Sequence, residues 1–471
     1  MKYARACIAT FAGLVLVQGL AISQSHAAGA NSTPVAAFTL VAPNGLSTSG
    51  LVARAIVARG NGCPSLNVTN LKGQIQSVEM RERVAPATTG AAFSAFTACS
   101  AHIPIGAKTA QVGSTFIPAA MPSTVRKLAI FGDTGCRVKG SLAQNCGDAN
   151  SWPLAKISSS IAKDKPDLIV FTGDFFYREA ACASALNAQC AGSPAPAQGM
   201  PFNDTAYAWA ADVFTPMSPI FSAAPILVTR GNHEACNRGG NGYFIYMDPR
   251  DGSQNTCAPY AGPDGALTVP ANDLNPSYAS DVSIDAKHKL RFVVVDSAYG
   301  NDCNVSSIYD TQRARYLAAA NLAKKQNSWL IVHRPIVGWQ VSDDCSPTGG
   351  WVSSDQSAAS AGLLGNYQIL VSSHVHVVEA INIPGIPGQL VIGNGGTLLD
   401  PVLGTISTTS GPSTPQITYG APTSSWMSSQ FGYVIATPKS TTQWDLQMRN
   451  PAGATFALCA LKSKNIACRN K

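Results

Sequence analysis

Five short segments of this 471-residue chain place oxygen and nitrogen donors directly after apolar runs. They are FGDTG (131–135), GDFFY (173–177), GNHE (231–234), LIVH (330–333) and SHVH (373–376). Taken singly, each has an ordinary structural reading. An aspartate after a strand forms a turn or caps a helix, and a lone histidine is commonly a hydrogen-bonded core residue. Taken together they form a set: Asp133, Asp174, Asn232, His333, His374 and His376 offer carboxylate, amide and imidazole donors, with Tyr177 and His233 beside them. Four of the seven histidines lie in these segments. Mixed oxygen and nitrogen donors suit borderline divalent or trivalent metals better than an all-oxygen calcium cage. Ions held this way acidify water and neutralise anionic oxygens, which is the chemistry of metal-assisted hydrolysis.

Regular elements must bring these segments together. RKLAIFGD (126–133), DLIVFTGD (167–174), PILVTRGN (225–232), LRFVVVDS (290–297), SWLIVHRP (328–335) and QILVSSHVH (368–376) read as short buried strands, as do 389–396 and 431–438. Helical patterns at 152–164, 204–214 and 311–325 lie between them, with Thr311 as the expected N-cap of the last. Interleaved strands and helices predict an α/β core over 123–471, with functional groups at the carboxyl ends of strands. Residues 28–122 differ, with short apolar stretches broken by Gly, Ser, Thr, Asn and Pro. They predict a small β-rich N-terminal domain, with a sandwich as its candidate arrangement, followed by a linker at 118–124.

The first 27 residues read as a signal peptide: Lys2 and Arg5, an apolar run over 7–22, then SHA at 25–27. This predicts export to a periplasmic or extracellular space with no stable membrane anchor. Cys7 leaves with the leader, and twelve cysteines remain without any C-x-x-C spacing, which favours disulfides over a thiolate metal site. Sequence neighbours suggest the pairs 63–99, 136–146, 182–190, 236–257, 303–345 and 459–468. Charged residues are 13% of the chain, and the net charge of +7 falls by two with the leader. That mild positive balance suits an anionic substrate, but no basic run suggests nucleic-acid binding.

The ordered series D-x-G, G-D-x-x-Y, G-N-H-E, x-x-x-H and x-H-x-H resembles the calcineurin-like metallophosphoesterases over about 126–400. Tyr177 resembles their purple acid phosphatase branch. The resemblance implies an αββα sandwich carrying two metal ions. On its pattern Asp133, Tyr177 and His376 bind one ion, Asn232, His333 and His374 bind the other, and Asp174 bridges both. His233 stands beside the metals and assists the leaving group. The implied enzyme is a secreted phosphatase that hydrolyses phosphomonoesters, small phosphorylated substrates, by in-line attack of a metal-bound hydroxide. Two departures are Ser373 for the usual glycine and Leu330 for the usual valine. Gly135 stands where many relatives carry a ligating histidine, so Tyr177 supplies the missing donor. Phenolate is a hard donor that favours Fe(III), which predicts Fe(III) with a divalent Fe, Zn or Mn ion. Arg334 and Trp339 are candidate substrate contacts, with a surface ion pair as the alternative for Arg334. A phosphodiesterase of the same fold and a non-catalytic secreted binding protein are the competing readings.

Overall fold

The computed structural model describes residues 33–83, 90–186, 189–190, 202–250, 257, 275–303, 305, 308–323, 327–340, 350–352, 354–402, 419 and 422–471. The predicted leader lies outside the described residues. Two sheets stack face to face. The larger has eleven strands among the described residues and contains Leu128–Phe131, Leu168–Phe171 and Ile226–Val228 as parallel neighbours. The smaller has seven, with Lys289–Val295, Asn327–Val332, Tyr367–Ser372 and Gly388–Ile392 running parallel.

Alternation along the strands explains the layering, since neighbouring side chains point to opposite faces of a sheet. Leu128, Ile130, Leu168 and Val170 meet Leu290, Phe292, Val294, Ile331 and Val371 in one core between the sheets. Ala129, Phe131, Ile169 and Phe171 face outward under Leu154, Ile157 and Ile161 of the helix Leu154–Asp164. These three residues follow the helical i, i+3, i+7 spacing that makes one apolar stripe. Val293, Val295, Leu330 and Val332 pack under Tyr316, Ala319 and Ala323 of the helix Tyr309–Ala323. The result is the expected αββα sandwich. Strands buried on both faces read as unbroken apolar runs, which is why these were legible.

Two local expectations change. The last long helix starts at Tyr309, ahead of Thr311, so Thr311 is not its cap. The segment 204–214 is an α-helix, Ala206–Trp209, passing into a π-helical turn, Ala210–Phe214. Thr205 caps it by accepting the backbone N–H of Ala208 at 3.2 Å.

The N-terminal segment is β-rich as expected, yet the large sheet runs straight through its proposed boundary. Ala36–Val41 pairs in parallel with Ile226–Val228, and Leu51–Ala58 and Phe96–His102 extend the sheet beyond it. Arg54, fully buried, donates to the carbonyls of Ile245, Tyr246 and Asp248 at 2.8–2.9 Å. Only Ser65–Asn70, Ile75–Glu79, Ala107–Val112 and Thr115–Ile117 form a sheet of their own. On the opposite flank, Tyr433–Ser440 pairs antiparallel with Leu128–Phe131.

Five of the predicted disulfides are formed: Cys63–Cys99, Cys136–Cys146, Cys182–Cys190, Cys236–Cys257 and Cys459–Cys468. Cys303 is also disulfide-bonded, and Cys345 lies outside the described residues. No helix among the described residues is long and apolar enough to cross a membrane.

Glu379 is an acid inside the smaller sheet. It is fully buried, accepts the Trp339 backbone N–H at 3.1 Å, and leaves its other oxygen without a partner. Burial pushes its pKa from 4.5 up to about 8. Between those values the folded chain holds a proton that the unfolded chain has released, so stability falls as pH rises through this window. Glu379→Gln removes the dependence. Thermal melting should show little difference from the parent near pH 4.5 and a clear gain for the variant near pH 8. Parallel melting curves for the two proteins across that range would refute it.

Candidate metal centre

The centre forms where both sheets present their strand ends. Asp133 follows Leu128–Phe131, Asp174 follows Leu168–Phe171, and Asn232 follows Ile226–Val228. His333 and the pair His374 and His376 follow Asn327–Val332 and Tyr367–Ser372 of the other sheet. Short loops force unusual backbone. Asp133, Asp174 and His374 have φ of 55°, 57° and 75°, three of the six described non-glycine residues in the left-handed region. Strain of this kind persists only where surrounding contacts over-determine it, and it gathers at functional sites.

The donors fall into two groups that meet at Asp174. The Tyr177 hydroxyl lies 2.8 Å from Asp133 Oδ1, 2.8 Å from Asp174 Oδ2 and 3.0 Å from His376 Nε2. Asn232 Oδ1 lies 2.9 Å from His333 Nε2 and 2.8 Å from His374 Nδ1. Asp174 Oδ2 is 3.2 Å from His333 Nε2, so one carboxylate touches both groups. Ligand atoms of Asp174, His333 and His374 lie within 4.8 Å of one another.

The electrostatics are those of a site made for cations. Burial, with Asp174 alongside, pushes Asp133 up to about 8. Burial opposes ionisation of Asp174 too, but His333 and His233 hold it well below the usual carboxylate range. His333 is raised to about 9 against its burial, because Asp174 favours its charged form. Burial and the two carboxylates push the Tyr177 hydroxyl far up. His374 and His376 are lowered by burial, His376 to about 4, which leaves both neutral and able to ligate. Seven convergent donors and crowded acids fit a pair of metal ions.

The calcineurin-like phosphoesterase model matches residues 126–378, more than half of the chain. This protein belongs to the calcineurin-like phosphoesterase family. It is therefore a hydrolase of phosphate esters, and its fold implies a binuclear metal centre. The structure of purple acid phosphatase PPD1 from yellow lupin (Lupinus luteus) seeds is similar with a TM-score of 0.55 at 13% identity, covering 91% of this chain and 74% of that one. The structure of PhoD is similar with a TM-score of 0.53 at 13% identity, covering 93% of each chain. At such identity the likeness is one of fold. No curated protein matches the chain.

Ser373 and Gly135 each have a physical account in this phosphoesterase. Ser373 Oγ donates to the Thr172 carbonyl at 2.8 Å and lies 3.0 Å from His333 Nδ1, so the extra hydroxyl braces a histidine. A Cβ at Gly135 would sit 2.7 Å from the Tyr177 backbone nitrogen and 2.8 Å from Asp212 Oδ2. No histidine fits there beside the loop that carries Tyr177. Gly231 is equally constrained: a Cβ would meet Asp174 Oδ1 at 2.0 Å.

Other predicted residues land differently. His233 donates its backbone N–H to Asp174 Oδ1 at 2.8 Å, and its ring lies tilted against that of Tyr177 with centroids 3.7 Å apart. Arg334 is buried rather than at the surface and pairs with Asp302 at 2.6 Å, with its Nη1 3.0 Å from His374 Nε2. Its guanidinium acts on a ligand's partner. Trp339 packs with Val337, Ile381 and Ile383 in a buried apolar cluster.

The loops are held by acids that the sequence reading passed over. Glu234, inside GNHE, accepts backbone N–H groups of Phe175 and Phe176 on Oε1 and of Asp174 and Gly231 on Oε2. Asp212, fully buried, accepts from the backbones of Cys136 and Tyr177 and pairs with Arg178 at 2.6 Å. Asp302 Oδ2 lies 3.0 Å from His374 Nε2 and so aims Nδ1 at Asn232. Glu179 Oε1 lies 2.9 Å from His233 Nδ1, and Arg238 contacts both. The available signals were an acid among apolar helix residues for Asp212 and an acid beside a bridged cysteine for Asp302.

Proposed function

We propose that this phosphoesterase is an exported phosphatase of the purple acid phosphatase type, acting on phosphomonoesters with an Fe(III) ion and a divalent Fe, Zn or Mn ion. The observation that carries the reading is the Tyr177 hydroxyl, set among Asp133, Asp174 and His376 where Gly135 leaves no room for a histidine. Five disulfides favour an oxidising compartment, in line with the leader.

Ions held by Asp133, Tyr177 and His376 and by Asn232, His333 and His374, with Asp174 between, would polarise phosphoryl oxygens and acidify water. Asn232 adds a neutral oxygen, which leaves room for substrate charge. Thr172, through its carbonyl 2.9 Å from His333 Nδ1, and Asp302 fix the two imidazoles that face Asn232. Burial and Arg238 lower His233 to about 3, so the resting ring is neutral. Glu179 engages Nδ1 and turns Nε2 toward Asp174, 3.9 Å away. An arriving phosphoryl dianion offsets Arg238 and raises the ring's basicity, so His233 Nε2 can carry a proton for the leaving oxygen.

The test uses protein purified with its metals. The expected result is about two metals per chain including iron, a visible absorption band, and phosphate release from aryl monophosphate that a chelator abolishes. Tyr177→Phe should remove the band. Full activity without iron, or an unchanged spectrum in the variant, defeats the assignment. Faster cleavage of a bis-aryl phosphate than of the monoester would favour a diesterase instead.

A further inference from the structure

A cavity of about 450 Å³ opens beside His233, whose Nδ1 lies 2.9 Å from Glu179 of its lining. Lys139, Glu179, Asn203, Asp204, Asn237 and Arg238 line it, and Phe176 is its one apolar lining side chain among the described residues. Glu179 is shared by three partners: His233 Nδ1 at 2.9 Å, Lys139 at 3.4 Å and Arg238. Asp204 turns its oxygens into the protein, accepting from the Trp209 indole and the backbones of Asn241 and Gly242. The open side of the cavity therefore carries more cation than available carboxylate.

Arg137 adds to this imbalance. It directly precedes the short strand Val138–Gly140 and stands two residues before Lys139. Its guanidinium lies 4.8 Å from the centre of the Tyr177 ring and has no carboxylate partner among the described residues.

We infer that the site selects phosphoesters whose leaving group carries a second anionic group, which Arg137, Lys139 and Arg238 bind while His233 faces the scissile oxygen. This rests on the phosphatase reading above and names its substrate class. The leaving group departs past His233, and the space it enters is the cavity. Among the described residues an alkyl or aryl group finds Phe176 there, whereas a phosphate or carboxylate finds guanidinium and ammonium donors. Charge-assisted contacts of this kind shift relative rates by about 10–100-fold.

The test measures phosphate release by the metal-loaded full chain from butyl phosphate and from butanediol bisphosphate. These share the alkyl group and differ only in the second phosphate. The expected kcat/KM ratio, corrected for the two equivalent ends, is about tenfold or more in favour of the bisphosphate. It shrinks as salt is raised. Arg137→Ala and Lys139→Ala should each pull the ratio toward one. Lys139 has a largely exposed side chain, so its variant keeps the test valid should Arg137→Ala misfold. A parent ratio of one or less, or a ratio unchanged in both variants, overturns the inference while leaving the phosphatase reading intact. Hydrolysis of neither ester by the loaded protein overturns both.

Discussion

Asparagine at position 174 is expected to strip the centre of most of its metal and nearly all of its activity. The substitution is nearly isosteric, and asparagine tolerates the left-handed backbone, here φ 57°, better than other residues without glycine's freedom. The effect therefore reports charge and ligation rather than backbone strain. Asp174 Oδ2 faces Tyr177 and His333, and Oδ1 accepts the His233 backbone N–H, so this carboxylate touches both halves. Outer partners of metal ligands are worth about 10–100-fold, so a ligand shared by both ions should cost about 10³-fold or more in kcat/KM. Metal analysis and phosphate release together check it. Two metals per chain with near-parental kcat/KM in Asp174→Asn would remove Asp174 from the bridging position.

The second large effect comes from a residue that touches no substrate. Each Glu234 oxygen accepts two backbone N–H groups, joining the GDFFY and GNHE loops. Glutamine keeps the shape but aims an NH₂ group at one of those donor pairs, whichever way the amide turns. Two buried N–H groups then lose their acceptor, at about 1–3 kcal/mol each. Glu234→Gln should lose about 2–6 kcal/mol of stability on that basis and bind metal more weakly, because Asp174 and Asn232 sit on the released loops. Thermal melting without metal isolates the structural part. An unchanged melting temperature would show that the four backbone bonds are dispensable.

The convergence of the candidate donors was legible because each follows an apolar strand short enough to read as such. Phe131, Phe171 and Val332 end such runs, and a polar residue after them marks the sheet's rim. Glu234, Asp212 and Asp302 were not legible, since their meaning lies in contacts with loops distant in sequence. Asp212 looks like any acid on a helix until Cys136 and Tyr177 turn their amides toward it. A tryptophan in a Gly- and Cys-rich loop reads alike whether it packs inward or lines a pocket, and Trp339 packs against Val337, Ile381 and Ile383. The run AAFTLV (36–41) has the same ambiguity: its pattern demands a partner strand without saying that the partner is Ile226–Val228.

That pairing has a kinetic consequence. Ala36–Val41 is made early in synthesis, yet its parallel neighbour emerges only after Leu128–Phe131 and Leu168–Phe171, which must also be in place. The opposite flank waits longer still, for Tyr433–Ser440 near the end of the chain. Contacts so distant in sequence close slowly, because loop entropy is lost before the pairing returns it. Until then the first strand keeps an open, apolar edge, the state from which chains aggregate. The same strand that completes the catalytic sheet therefore makes folding slow and sensitive to concentration, and refolding yield should fall with chain concentration well before the native protein shows any tendency to associate.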